Sequence, residues 1–125
     1  MIHLDTGFLI RALVRGTDAD RDLRRWLLDG ESIGIAAIAW AEFLCGPLAE
    51  REIGLAARLL PERVPFTEDD ALVAARLFNL GGRRRGSLGD CMIAATAIRS
   101  GARLATTNPL DFRRFASEGL ELAGT

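Results

Sequence analysis

The sequence has no lysine, and all 16 of its basic residues are arginine. They face 17 acids, for a formal net charge of −1. No overall pull toward nucleic acid follows, so any such attraction must come from the local arrangement of arginines. Histidine is almost absent too. His3 stands alone, inside an apolar strand pattern, and is a poor candidate for the base of a Ser-His-Asp arrangement. The two cysteines, Cys45 and Cys91, lack CxxC or Cys/His spacing, which excludes a zinc site of that kind. Both lie among apolar neighbours and read as buried free thiols. No apolar run approaches the ~18 residues that span a bilayer. His3 and Asp5 interrupt the N-terminus, which has no basic leader region. A cytoplasmic protein without a membrane segment is expected. No internal repeat or long linker breaks the chain. At 125 residues and 49% hydrophobic, it is long and apolar enough for one domain with a sizeable core.

Strand and helix patterns alternate along it. Ile2 to Asp5 predicts a strand and Thr6 to Val14 a helix. Thr17 and Asp20 form a capping-box pattern before a helix with Leu23, Trp26 and Leu27 at helical spacing. Ile33 to Ala36 predicts a second strand. Ile38 to Cys45 predicts an apolar helix, buried nearly all round, that stops at Gly46-Pro47. A helix through Ile53 and Leu60 ends at Pro61, and Val64 to Phe66 is a short edge piece. Thr67 and Asp70 cap a helix carrying Val73, Leu77 and Leu80. Gly81 to Ser87 is a loop, followed by a helix from Leu88 to Ser100 that Gly101 ends. Ala102 to Thr106 is a strand, Asn108-Pro109 starts a turn, and Leu120 to Leu122 is a last strand. This alternation predicts an α/β fold, a three-layer α/β/α sandwich around a mostly parallel sheet.

Asp5-Thr6-Gly7 matches the nucleophile loop of retroviral-type aspartic proteases. Such proteases are almost all β, and the helical patterns here weigh against that reading. In a parallel sheet, the C-terminal ends of strands and the starts of the following helices share one edge, where ligands bind. Asp5, Glu42, Asp90, Asn108 and Asp111 all map to that edge. Each has a plainer reading as well: Asp5 as an N-cap, Glu42 as a surface charge, Asp90 as the acid of a Ser87-x-x-Asp90 capping box. Gathered carboxylates repel one another, and a divalent cation removes that penalty. Hard oxygen ligands suit Mg²⁺ or Mn²⁺. A metal-bound water at such a site suits phosphodiester hydrolysis.

IHLDT-x-x-LI at the start, AE-x-x-x-G around Glu42, LGDCMIAATA around Asp90 and LATTNPLDF near the end resemble the PIN domain, and more closely the VapC toxins of bacterial toxin–antitoxin pairs. The resemblance runs over essentially the whole chain, in order. It implies a Mg²⁺- or Mn²⁺-dependent endoribonuclease with Asp5 and Asp90 as principal metal ligands. Glu42 would be the third acid, binding metal or orienting the attacking water, and Thr6 and Thr106 would be supporting hydroxyls. It further implies a homodimer restrained by a small cognate antitoxin. The chain departs from the pattern twice. Gly7 stands where Asn is common, and Asn108 stands where a fourth acid is common, with Asp111 three residues on. Either Asp111 substitutes or the site works with three acids, which favours one tightly bound metal.

Arg83, Arg84 and Arg85 precede Asp90 closely and are candidates to contact RNA phosphates. The alternative is a solvated loop. Arg113 and Arg114 are further candidates. Trp26 and Trp40 have core spacing and read as packing rather than base-stacking residues. The competing function is an RNA- or protein-binding module on the same fold, catalytically weak because of Asn108.

Overall fold

The computed structural model describes residues 1–124. Five strands form one sheet in the order β3-β2-β1-β4-β5, with every pair parallel. They are β1 (Ile2–Leu4), β2 (Ile33–Ala36), β3 (Arg63–Val64), β4 (Arg103–Ala105) and β5 (Glu121–Leu122). The helices are α1 (Thr6–Ala12), α2 (Asp18–Leu28), α3 (Ala37–Leu44), α4 (Glu50–Leu59), α5 (Glu68–Leu80), α6 (Leu88–Ser100) and α7 (Pro109–Arg113). A single 3₁₀ turn spans Ala116–Glu118. The expected α/β/α architecture is present, and the sheet is wholly parallel rather than mostly so.

β1 is buried at every residue, as a central strand covered on both faces must be. His3 is one of them. Its ring lies beside Gly34 of β2, where a Cβ would stand 3.4 Å from Cδ2. Neither ring nitrogen has a hydrogen-bond partner, and burial pushes its pKa down to about 4. α6 fills the other side of the core with small residues: Cys91 and Ile93 through Ala97 are all buried. It packs on α5, and Gly101 ends it in the left-handed conformation (φ 65°). α5 begins with a reciprocal capping box between Thr67 and Asp70. The Asp70 carboxylate, fully buried, also accepts from Arg99 Nε of α6 at 2.6 Å. Phe43, Phe112 and Phe115 are among the largest fully buried side chains. Trp26 is core as expected, stacked on Phe8 with ring centroids 5.6 Å apart.

Four expectations change. α3 is not buried all round: Ala39 and Phe43 face the core, while Ala41, Glu42, Leu44 and Cys45 are exposed. It lies against both α1 and α6, so only part of its circumference meets protein. Cys45 is consequently an exposed thiol, and only Cys91 is buried. The Ser87–Asp90 capping box does not form. The Ser87 hydroxyl donates to the Arg84 carbonyl at 2.7 Å and makes no cap bond to α6. The Asn108-Pro109 turn continues into a helix, α7, which is too short to carry a periodic pattern.

Candidate active site

The strand order reverses between β1 and β4. The chain moves from β1 through β2 to β3 in one direction, then crosses back to β4 on the far side. The crevice beyond the strand ends at such a reversal is where parallel α/β folds bind ligands. Asp5 follows β1 and Thr106 follows β4, so both stand at that crevice. The Asp5 N–H donates to the Ala105 carbonyl at 3.0 Å, and its Oδ1 accepts from the Phe8 N–H at 2.7 Å. Asp5 therefore does cap α1. One oxygen serves the cap, and the carboxylate still belongs to the site. Burial raises its pKa. The Thr106 hydroxyl and the Phe8 N–H oppose that rise, and the Glu42 charge adds to it.

Glu42 reaches the site from α3. The Thr6 hydroxyl donates to its Oε1 at 2.7 Å and stands 3.4 Å from the Ala39 carbonyl. Its Oε2 lies over the start of α6, where a Cβ on Gly89 would come within 3.1 Å. Asp90 is the next residue. Burial raises its pKa first. Asp5, Glu42 and Asp111 then push it further up, and Arg84 pulls it down. Freed from the capping box, Asp90 has Arg84 as the favourable charge among these neighbours. Asp5, Glu42 and Asp111 thus act on Asp90, and Glu42 acts on Asp5.

Asn108 is exposed. Its N–H donates to Thr106 Oγ1 at 3.0 Å, which fixes the supporting hydroxyl rather than adding a charge. Asp111 lies in the first turn of α7, 3.7 Å from Arg84. The other arginines differ in placement. Arg83 Nε donates to Asn79 at 2.9 Å, while Arg85 and Arg113 are exposed. Arg114 lies over the Phe115 ring at 4.7 Å, with two guanidinium nitrogens buried and unpartnered. Burial pushes the Cys91 thiol up, which makes it a poor nucleophile beside Asp90.

Sequence reasoning missed three contributors. Thr107 places its hydroxyl 3.1 Å from where a Gly7 Cβ would stand, so a side chain at position 7 would crowd it. Gly89 leaves room for Glu42. Ser87 anchors the basic loop. The only signal for the two glycines was their position, one residue into a helix beside a candidate acid.

Among the described residues, no three His, Cys, Asp or Glu stand close enough to form a ready-made ligand set. The donor chemistry nonetheless fits a hard divalent cation. Asp5 and Asp90 are held partly against ionisation by burial and by other carboxylates, and a cation reverses that penalty. Mg²⁺ commonly binds through one or two carboxylates and keeps several waters, so contact among all the acids is not needed. A separate concavity of ≈ 270 Å³ lies between α1, α2 and α4, lined by residues including Leu23, Leu27, Leu55 and Leu59. It contains none of these acids.

The PIN domain family model matches residues 2–118. The chain belongs to the PIN-domain family. Solved structures share the fold. VapBC2 of Rickettsia felis, bound to a promoter DNA fragment, superposes with a TM-score of 0.73 at 23% identity, covering 98% of this chain and 97% of that one. VapBC-1 of nontypeable Haemophilus influenzae gives 0.73 at 22%, covering 98% and 96%. VapC20 of Mycobacterium tuberculosis, described as a sarcin-ricin loop cleaving toxin, gives 0.64 at 16%, covering 96% of each chain. No curated protein matches significantly. In this PIN domain no helix among the described residues is long and apolar enough to cross a membrane.

Proposed function

We propose that this PIN domain is a metal-dependent endoribonuclease, the VapC-type toxin of a toxin–antitoxin pair acting in the cytoplasm. One observation supports the reading: at the switch point, burial and then the charges of neighbouring carboxylates, Glu42 among them, disfavour ionisation of Asp5 and Asp90. Asp5 and Asp90 would hold Mg²⁺ or Mn²⁺, and Glu42 would hold it or orient the attacking water. When bound, the ion supplies a water of lowered pKa and neutralises charge on the phosphate. The chain's own part is positional. The Phe8 N–H and Thr106 fix Asp5, and Thr6 aims Glu42 by hydrogen bond. The Gly-flanked arginine loop and the exposed Arg113 of α7 are available to RNA phosphates, whereas Arg114 is turned onto Phe115. The VapBC complexes among the structural neighbours support an antitoxin partner. A homodimer belongs to the same proposal.

RNA cleavage is expected to require Mg²⁺ or Mn²⁺, to stop with chelator, and to vanish in Asp5→Asn and Asp90→Asn. Expression of wild type is expected to arrest growth and Asp90→Asn to relieve the arrest. Asn108, neutral where an acid is common, favours one second reading, a binding module with weak catalysis. RNA binding that persists without cleavage, indifferent to both substitutions, would establish that reading instead.

A further inference from the structure

Within the basic loop, Arg84 is the arginine that meets the acids, and its backbone shows why. Gly82 and Gly86 adopt left-handed φ values of 81° and 83°, and Arg83 one of 57°, a conformation that non-glycine residues rarely hold. Ser87, 3% exposed, then donates twice to the Arg84 carbonyl: from its N–H at 3.1 Å and from its hydroxyl at 2.7 Å. Ser87 immediately precedes α6, so the Arg84 peptide is pinned to the helix that carries Asp90. The side chain stays free by comparison. Arg84 Nη1 lies 3.7 Å from Asp111 Oδ1, with the two side chains 51% and 40% exposed. That is beyond hydrogen-bond length, a loose Coulombic contact between half-exposed groups.

We propose that Arg84 is the residue that contacts the substrate phosphate, and that Asp111 is the counter-ion holding it at the rim rather than a fourth metal ligand. The inference rests on the nuclease reading above. A guanidinium offers five donors in a fixed fork, and one loose carboxylate contact leaves that fork open. A phosphodiester presents two non-bridging oxygens that match it bidentately. Exchanging Asp111 for phosphate strands no buried charge, because the Asp111 carboxylate returns to water. Arg83 is engaged with Asn79, and Arg114 is turned onto Phe115, so neither has the same freedom.

The test compares Arg84→Ala, Arg84→Lys, Asp111→Asn and the double variant Arg84→Ala/Asp111→Asn in the full chain. Mn²⁺ binding is measured by calorimetry, and binding of a mixed-sequence single-stranded RNA by anisotropy without added metal across a salt series. Asp111→Asn is expected to leave Mn²⁺ affinity within about twofold, since a surface counter-ion contributes little. Arg84→Ala is expected to weaken RNA binding about tenfold and to lower the salt slope by about one, with Arg84→Lys recovering part of both. Asp111→Asn is expected to raise RNA affinity in the Arg84 background, because the contact it removes is given up on binding, and to raise it less in the Arg84→Ala background. A tenfold or greater loss of Mn²⁺ affinity in Asp111→Asn would overturn the inference by making Asp111 a ligand. So would unchanged RNA affinity and slope in Arg84→Ala. If the wild type binds no Mn²⁺, or Asp90→Asn leaves its Mn²⁺ affinity intact, the nuclease reading falls and takes this one with it.

Discussion

At the scale of single residues, the site trades stability for charge. The Asp90 carboxyl is raised by burial and by three neighbouring carboxylates, so its ionised form is disfavoured in the fold. Asp90→Asn is expected to raise the metal-free melting temperature while abolishing cleavage, a stability–function trade-off that calorimetry and a nuclease assay read together. Gly89 invites a subtler change. An alanine Cβ there stands 3.1 Å from Glu42 Oε2, and the flexible end of Glu42 must give way by a few tenths of an ångström. Gly89→Ala is expected to keep or raise stability, by up to about 1 kcal/mol from helix propensity, and to lower kcat. Unchanged kcat would show that the placement of Glu42 is not critical. His3 supplies a pH signature of stability. Its folded pKa, about 4, lies below the ordinary histidine value of 6.5. Between those values the unfolded chain binds the extra proton, so stability falls as pH drops through that window. The loss reaches at most about 3 kcal/mol. In His3→Leu, urea midpoints measured from pH 7 to 4 are expected to fall less steeply than in wild type.

At the scale of elements, α6 carries Asp90 in its first turn and is tied to α5 at its other end. The two helices are tied by Asp70, whose carboxylate accepts from Arg99 and from the Thr67 N–H. Burial works against the Asp70 charge, but these partners outweigh it and hold its pKa below the ordinary range. A depressed carboxylate contributes stability above its unfolded pKa and loses it as pH falls through its folded value. Asp70→Asn is expected to cost about 2 kcal/mol at neutral pH, below the range for fully buried pairs because Arg99 is 36% exposed. The deficit is expected to shrink in acid, as denaturant midpoints at pH 7 and pH 3 would show. These elements were legible in sequence because their signals are local. Thr67 and Asp70 spell a cap, Gly101 a stop, and Ile2 to Leu4 a short apolar run. Other features were not legible. The apolar sequence of α3 is the same whether its second face meets protein or water, so the exposure of Cys45 is a tertiary fact. Ser87 had the spacing of a capping box, yet its hydroxyl took the nearer Arg84 carbonyl. α7 has only five residues, too few for a period.

At the scale of the whole molecule, convergence was legible and contact was not. Edge positions for Asp5, Glu42, Asp90 and Asp111 follow from the alternation of elements, whereas the Thr6–Glu42 bond and the Thr107 hydroxyl beside Gly7 depend on how helices settle. A cation that relieves the gathered charges should stabilise the entire fold. At about 100 times its Kd, Mn²⁺ is expected to add about 2.7 kcal/mol, seen as a melting temperature several degrees higher. Asp5→Asn and Asp90→Asn are expected to lose most of that rise. The strand order has a consequence for timing as well. β1 is made first, yet one of its two neighbours is β4 at Arg103–Ala105. During synthesis about 100 residues must follow β1 before it can be flanked on both sides and before Asp5 can meet Thr106. Parallel pairings over such separations close slowly. A partly made chain therefore carries Asp5 and Glu42 without a finished crevice around them. Chains ending before β4 are expected neither to bind Mn²⁺ nor to arrest growth. On the nuclease reading, any harm to the cell that makes this protein begins only once β4 has been synthesised.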